Sequence, residues 1–247
     1  ASNPGTIIQV APGTYTENVN IATDNLRLSG TGPATSRISG LTSPNTSAIN
    51  VEYGVHGIVI ENFMIFGSTT GISIGRTSER RLIEVCNNVF LRNYIGVALA
   101  NASPRIINNT FIRNSATAIL ADAPSTGLIR NNLFQFNPVA MDIQTANSTI
   151  DHNLYWNNGV NFQGVGNCST ADGCVFGLDP QINGSYHLAN AFSPAVDAGF
   201  EYQAPHDDFD PQLRPVGGTL VGFITVDIGA DELVWEFGPA TPSDPTT

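Results

Sequence analysis

The chain has 247 residues, with 21 Asp and Glu against 10 Arg and no Lys, and a formal net charge of −11. So few cations exclude a protein that tracks nucleic-acid phosphates and argue against binding an anionic membrane surface. Charged residues are only 13% of the chain and apolar ones 41%, with 24 Gly, 15 Pro and 25 Asn, a mixture poor for helices and good for short strands joined by turns.

In chain order, Thr6-Ile7-Ile8-Gln9-Val10 and Gly13-Thr14-Tyr15-Thr16 read as two strands flanking a Pro-Gly turn, and Asn25–Gly30 and Ser36–Gly40 as further short strands. An internal repeat then dominates. Asn62, Asn88, Asn109, Asn132 and Asn153 recur at intervals of 26, 21, 23 and 21. Five residues after each comes Gly67, Asn93, Asn114, Asn137 or Asn158. Two residues after comes Met64, Phe90, Phe111, Phe134 or Tyr155, and three before comes Val59, Val85, Ile106, Ile129 or Ile150. A coil this thin cannot bury its own apolar side chains. Stacked at about 4.8 Å, such coils form continuous Ile/Val and Phe columns, while the Asn side chains hydrogen-bond the inward-facing backbone of the turns. Each coil carries a second short strand, whose alternation puts Ser73, Ala98, Ile119 and Asp142 outward on a small, weakly charged face. About seven coils fit between residues 6 and 165. No apolar run approaches the ~20 residues of a spanning helix.

The Val-Ala-Pro-Gly-Thr-Tyr-Thr-Glu-Asn opening and the Ile-x-Asn-Asn-x-Phe-x-x-Asn coils resemble the right-handed parallel β-helix superfamily, the pectate-lyase-like fold. The resemblance implies an all-β solenoid and leaves activity open, because that architecture hosts lyases, hydrolases, epimerases and adhesins. It departs in one respect: the amphipathic helix that usually caps the first coil does not precede it here, so that coil is either covered by residues outside this sequence or open to self-assembly or a partner chain. Residues 1–165 are assigned to coils, 166–237 to an irregular C-terminal covering segment and 238–247 to a Pro/Thr-rich linker or tail. Within the cover, Phe176–Pro180, Gly184–Leu188, Ser193–Gly199, Arg214-Pro215 and Asp227–Glu232 resemble, in order, the C-terminal region of bacterial choice-of-anchor Q surface proteins. That resemblance implies a secreted or cell-surface, bacterial protein with no established chemistry.

Cys168 and Cys174 close a short loop and read as a local disulfide, which suits an oxidising compartment, and Cys86 reads as a lone thiol. His206-Asp207-Asp208-Phe209-Asp210 is the densest charged run. Asp207, Asp208 and Asp210 are candidate Ca²⁺ ligands, or partners of Arg214. Lyases of this fold use an Arg or Lys base, and hydrolases use paired acids. Arg130, Asp151 and His152 on the strand edge before the Asn series, and Asp142 on a neighbouring segment, are the local catalytic candidates. With Tyr155 and Trp156 the same patch could stack and hydrogen-bond a sugar, Tyr155 being equally a core aromatic. Arg76, Arg80 and Arg81 lie in the longest repeat interval and could meet an anionic glycan or pair with Glu79 and Glu84. The four His show no metal-ligand spacing. These features favour a structural or adhesive rod displaying a glycan- or protein-binding face, with a polysaccharide lyase or glycoside hydrolase as the alternative.

Overall fold

The computed structural model describes residues 5–41, 46–75, 82–145, 147–215 and 225–233. Arg76, Arg80 and Arg81 and the Pro/Thr-rich tail lie outside them. The chain winds a three-sided parallel β-solenoid of about seven coils, with sheets of seven, eight and seven strands, here called A, B and C. Every strand pairs in parallel with the equivalent strand one coil away, as in Ile83–Cys86 with Arg105–Ile107 on sheet A and Val89–Leu91 with Thr110–Ile112 on sheet B. Among the described residues there is no α-helix, only the 3-10 turn Thr170–Asp172.

The columns have the predicted physical character. Phe90, Phe111, Phe134, Tyr155 and Phe176 stack face to face, with successive ring centroids 4.6–5.2 Å apart. Asn88, Asn109, Asn132 and Asn153 form one buried ladder and Asn93, Asn114, Asn137 and Asn158 a second. Asn132 shows the pattern: its amide donates to the Ile106 and Arg130 carbonyls at 2.8 and 2.9 Å and to the Asn153 side chain at 3.1 Å, while its own Oδ1 accepts the Asn109 backbone N–H at 3.0 Å. Inward backbone groups at the corner, with no water in reach, are satisfied in this way.

Two positions differ from the reading of the sequence. In the third coil, Met64 pairs with Val89, not Phe90, and it is the Phe63 N–H that donates to Asn88 Oδ1. Asn62 therefore sits one place earlier, at the left-handed corner shared with Asn87, Asn108, Asn131 and His152, and the third coil contributes Ile60, Ile65 and Ser68 to the columns. On sheet C, Leu120 is the residue in register with Ala98 and Asp142, and Ile119 is fully buried; a one-residue slip in a strand exchanges its faces.

The core closes at one end with Cys168, Cys174 and Phe176, the disulfide holding the loop against the last coil. At the other end, the strand Thr6–Gln9 is exposed along its length and has a sheet partner on one side only. The segment after Phe176 runs back along the outside of sheet B. Leu133 and Leu154, which point outward from that sheet, are buried under Leu188, Ala195, Val196 and Ile228, and Val89 under Phe209 and Ala230. The corner Asn residues dock this cover: Asn87 donates to the Asp207 carbonyl, Asn108 to Asp227 and Gly229, and Asn131 to Phe200. In each Asn-Asn pair, one residue points in and holds the coil while the other points out and holds the cover.

Candidate functional site

The cover is organised by buried charge. Arg214 and Glu232 are fully buried and paired at 2.9 Å, and Arg214 also donates to the Asp227 and Gly229 carbonyls. Glu232 accepts the Asp227 N–H at 2.9 Å. Asp227 accepts the Asp197 and Leu233 N–H groups, each at 2.7 Å. Burial, then the facing Glu232 carboxylate, pushes the Asp227 carboxyl up to about 8. Asp208 is buried and accepts the N–H groups of Asp210, Gln212 and Glu232.

Beside this knot, three metal-competent side chains converge from three separate stretches of the cover. His187 Nδ1 lies 3.0 Å from Asp231 Oδ1 and 3.3 Å from Asp210 Oδ2, and the three donor atoms lie within 4.8 Å of one another. Two of the three ligands are held from behind: Asp231 Oδ2 accepts the Leu188 N–H at 2.7 Å, and the His187 ring packs edge-on against Phe209 at 5.0 Å. The Asp231 hydrogen bond raises the His187 pKa, opposed by partial burial. Without an ion, one Nδ1 proton bridges two carboxylates. With an ion, one imidazole nitrogen and two carboxylate oxygens face it, separated by the roughly 3 Å expected of neighbouring donors that each lie about 2.0–2.2 Å from a metal.

Of the three aspartates singled out in the sequence, only Asp210 belongs to this group. Asp208 spends its oxygens on backbone N–H groups, and Asp207 faces His206 at 3.7 Å. His187 and Asp231 carry no spacing signal, because 44 residues separate them. Soft donors do not gather: Cys86 is a buried thiol whose pKa burial drives well up, and Met64 and Met141 are core residues.

Arg130, Asp151 and His152 do meet, as neighbours on the outer column of sheet A, but their groups are occupied. Arg130 grips Asp151 through Nε and Nη2, donates to the Tyr202 carbonyl at 3.0 Å, and lies under the Phe200 ring at 4.5 Å. Phe200 also stacks on His152, whose Nδ1 is 3.2 Å from Asp151. A guanidinium tied this way joins the cover to sheet A. Asp142 is on sheet C, hydrogen-bonded by Gln144, and Asp151 is on sheet A, so the two cannot form an acid–base pair across one substrate. Tyr155 is a core ring, and Trp156 packs half-buried against the cover.

A family model described as periplasmic copper-binding protein (NosD) matches residues 6–172, which take in the coils as far as Gly164 and most of the disulfide loop. No curated protein and no solved structure matches the chain. A match over this much of the sequence places the chain in the NosD family.

Proposed function

We propose that this chain is an exported β-helix protein that binds rather than transforms its ligands, and that its cover holds a divalent metal ion of the Cu²⁺ class between His187, Asp210 and Asp231. One observation carries the reading: the convergence of one imidazole and two carboxylates from separate segments, with His187 and Asp231 fixed by packing and a hydrogen bond of their own. The family description supplies copper, but it belongs to a match ending at residue 172. Among the described residues that span brings no three donors together, so the support here is the chemistry of the 187/210/231 set. An imidazole with carboxylates suits Cu²⁺ or Zn²⁺, whereas Ca²⁺ wants six to eight oxygens. Because the ligands come from three segments, an ion there would pin the cover to itself.

Titration of the full chain with Cu²⁺, Zn²⁺ and Ca²⁺, followed by calorimetry and thermal unfolding, tests this. The expected result is one site preferring Cu²⁺ and Zn²⁺ over Ca²⁺, a raised Tm, and loss of both in His187→Gln and Asp231→Asn. At a hundredfold excess over Kd the ion would add about 2.7 kcal/mol. Unchanged affinity in both variants would refute the assignment.

Periplasmic or cell-surface residence is supported by the family description, by the disulfide and by the resemblance of residues 175–232 to choice-of-anchor Q proteins. No helix among the described residues is long and apolar enough to cross a membrane. A second reading, display of a glycan-binding face, is favoured by a cleft between the coils and the cover beside Arg92 and Arg113. The exposed first coil offers an edge to a second chain, an assembly that light scattering across concentrations would detect.

A further inference from the structure

From the third coil onward the turn between sheets B and C passes through one left-handed residue per coil: Gly67, Arg92, Arg113, Phe136 and Asn157, with φ of 64°, 54°, 52°, 57° and 49°. Gly and Asn adopt this conformation cheaply, and Arg and Phe do not. The costly residues occupy three consecutive coils, with the cheap ones on either side. The same three residues line one cleft of about 350 Å³. Its opposite wall comes from the cover and includes Tyr186, itself at φ 74°. Strain gathered in one place, where the fold has a cheaper choice at hand, points to function.

Charge points the same way. Arg27, Arg105, Arg130 and Arg214 each meet a carboxylate. Arg92 and Arg113 are exposed and, like the half-buried Arg37, meet none among the described residues, in a chain with twice as many acids as bases. They follow Leu91 and Ile112, which are paired in register, so two like charges stand one coil apart, about 4.8 Å along the rod. That neighbourhood is repulsive until an anion lies across it. The Arg113 guanidinium rests over Phe136 at 5.1 Å, which fixes its direction. Between these cations and Tyr186 lie two amides with donors to spare. Gln135 has no side-chain partner among the described residues, and Asn183 uses only its Oδ1, accepting from Ser185 and His187.

Guanidinium groups repeating along an axis, aromatic walls and free amides together match a polymer with repeating anions and hydroxyls. We infer that the cleft between the B–C corner and the cover binds an acidic oligosaccharide, with carboxylates on Arg92 and Arg113 and hydroxyls on Gln135 and Asn183. The inference rests on the glycan-binding reading and adds to it the site and the sugar class.

The test is calorimetry on the full chain with a tetrameric uronate, its neutral methyl ester and sodium sulfate at constant ionic strength, using wild type and Arg92→Asn/Arg113→Asn. The uronate is expected to bind at least tenfold more tightly than the ester. The double variant should lose at least tenfold in affinity while its Tm stays the same or rises, because Asn relieves the corner. Equal binding of the ester would overturn the acidic assignment and leave the glycan reading intact. Failure of both sugars at millimolar concentration would overturn both. Sulfate competing as well as the tetramer would overturn the sugar. A double variant that melts lower with binding intact would show the two Arg to be structural.

Discussion

The coils and the cover are stabilised in opposite ways. In the coils each rung repeats its neighbour: the Phe stack and the Asn ladders make the same contacts coil after coil, with almost no charge inside. The cover repeats nothing. It is held by an Arg–Glu pair at zero exposure, by carboxylates that accept backbone N–H groups, and by three corner Asn residues that reach out from the rod. A periodic core spreads its stability over many equivalent contacts, and a charge knot concentrates it in a few. The knot is the part whose strength pH and bound ions can alter.

The largest expected effect breaks the coil side. Asn132→Ala removes an amide that serves two carbonyls, a neighbouring side chain and a backbone N–H, and leaves several buried groups unpaired. A loss of about 4 kcal/mol, measured by urea unfolding, is expected. Arg214→Leu breaks the knot instead. Leaving Glu232 buried without its partner should cost about 3 kcal/mol. Hydrogen exchange should show that loss confined to residues 195–233, with the coils still protected. Replacing Cys168 and Cys174 by Ser opens a short loop and should cost about 2 kcal/mol, felt at the last coil.

pH sharpens the contrast. Asp227 has its carboxyl raised to about 8, above the ~4 of an unfolded chain. An acid raised in the folded state contributes its full stability below about pH 4, loses it as the pH climbs through 8, and contributes nothing further above. The cover should therefore loosen progressively between pH 4 and 8, its opening coupled to release of a proton, and change no further above that. Coil amides, corrected for intrinsic exchange, should keep the same protection over that range. A uniform change in coils and cover would count against the separation drawn here.

The same contrast explains what could be read from the sequence. Residues 83–165 are legible because each position is written several times, so the ladder at Asn88, Asn109, Asn132 and Asn153 declares itself. The slip at Asn62 arises because the third coil places Ile60, Phe63 and Ile65 where the later coils have Val or Ile, Asn, and Phe or Tyr, so its single Asn aligns with the wrong column. Periodicity likewise brings Arg130, Asp151 and His152 together, one coil apart. It cannot show that Phe200 and Tyr202 close over them. The metal candidates fail for the same reason. Asp207, Asp208 and Asp210 form a run in sequence, but the backbone turns Asp208 into its own hydrogen bonds, while His187 and Asp231 arrive from distant segments. The inner Asn of each pair is visible by its repeat. The outer one, which docks the cover, has partners up to 121 residues away and no local signature.

Native-state hydrogen exchange of the full chain, with and without Cu²⁺, tests the central claim most directly. If a rigid periodic rod carries a cover pinned by His187, Asp210 and Asp231, the ion will slow exchange around residues 186–188, 208–213 and 226–233 and leave the coils unchanged, and His187→Gln will abolish the effect. Protection that appears in the coils, or that persists in His187→Gln, would contradict it.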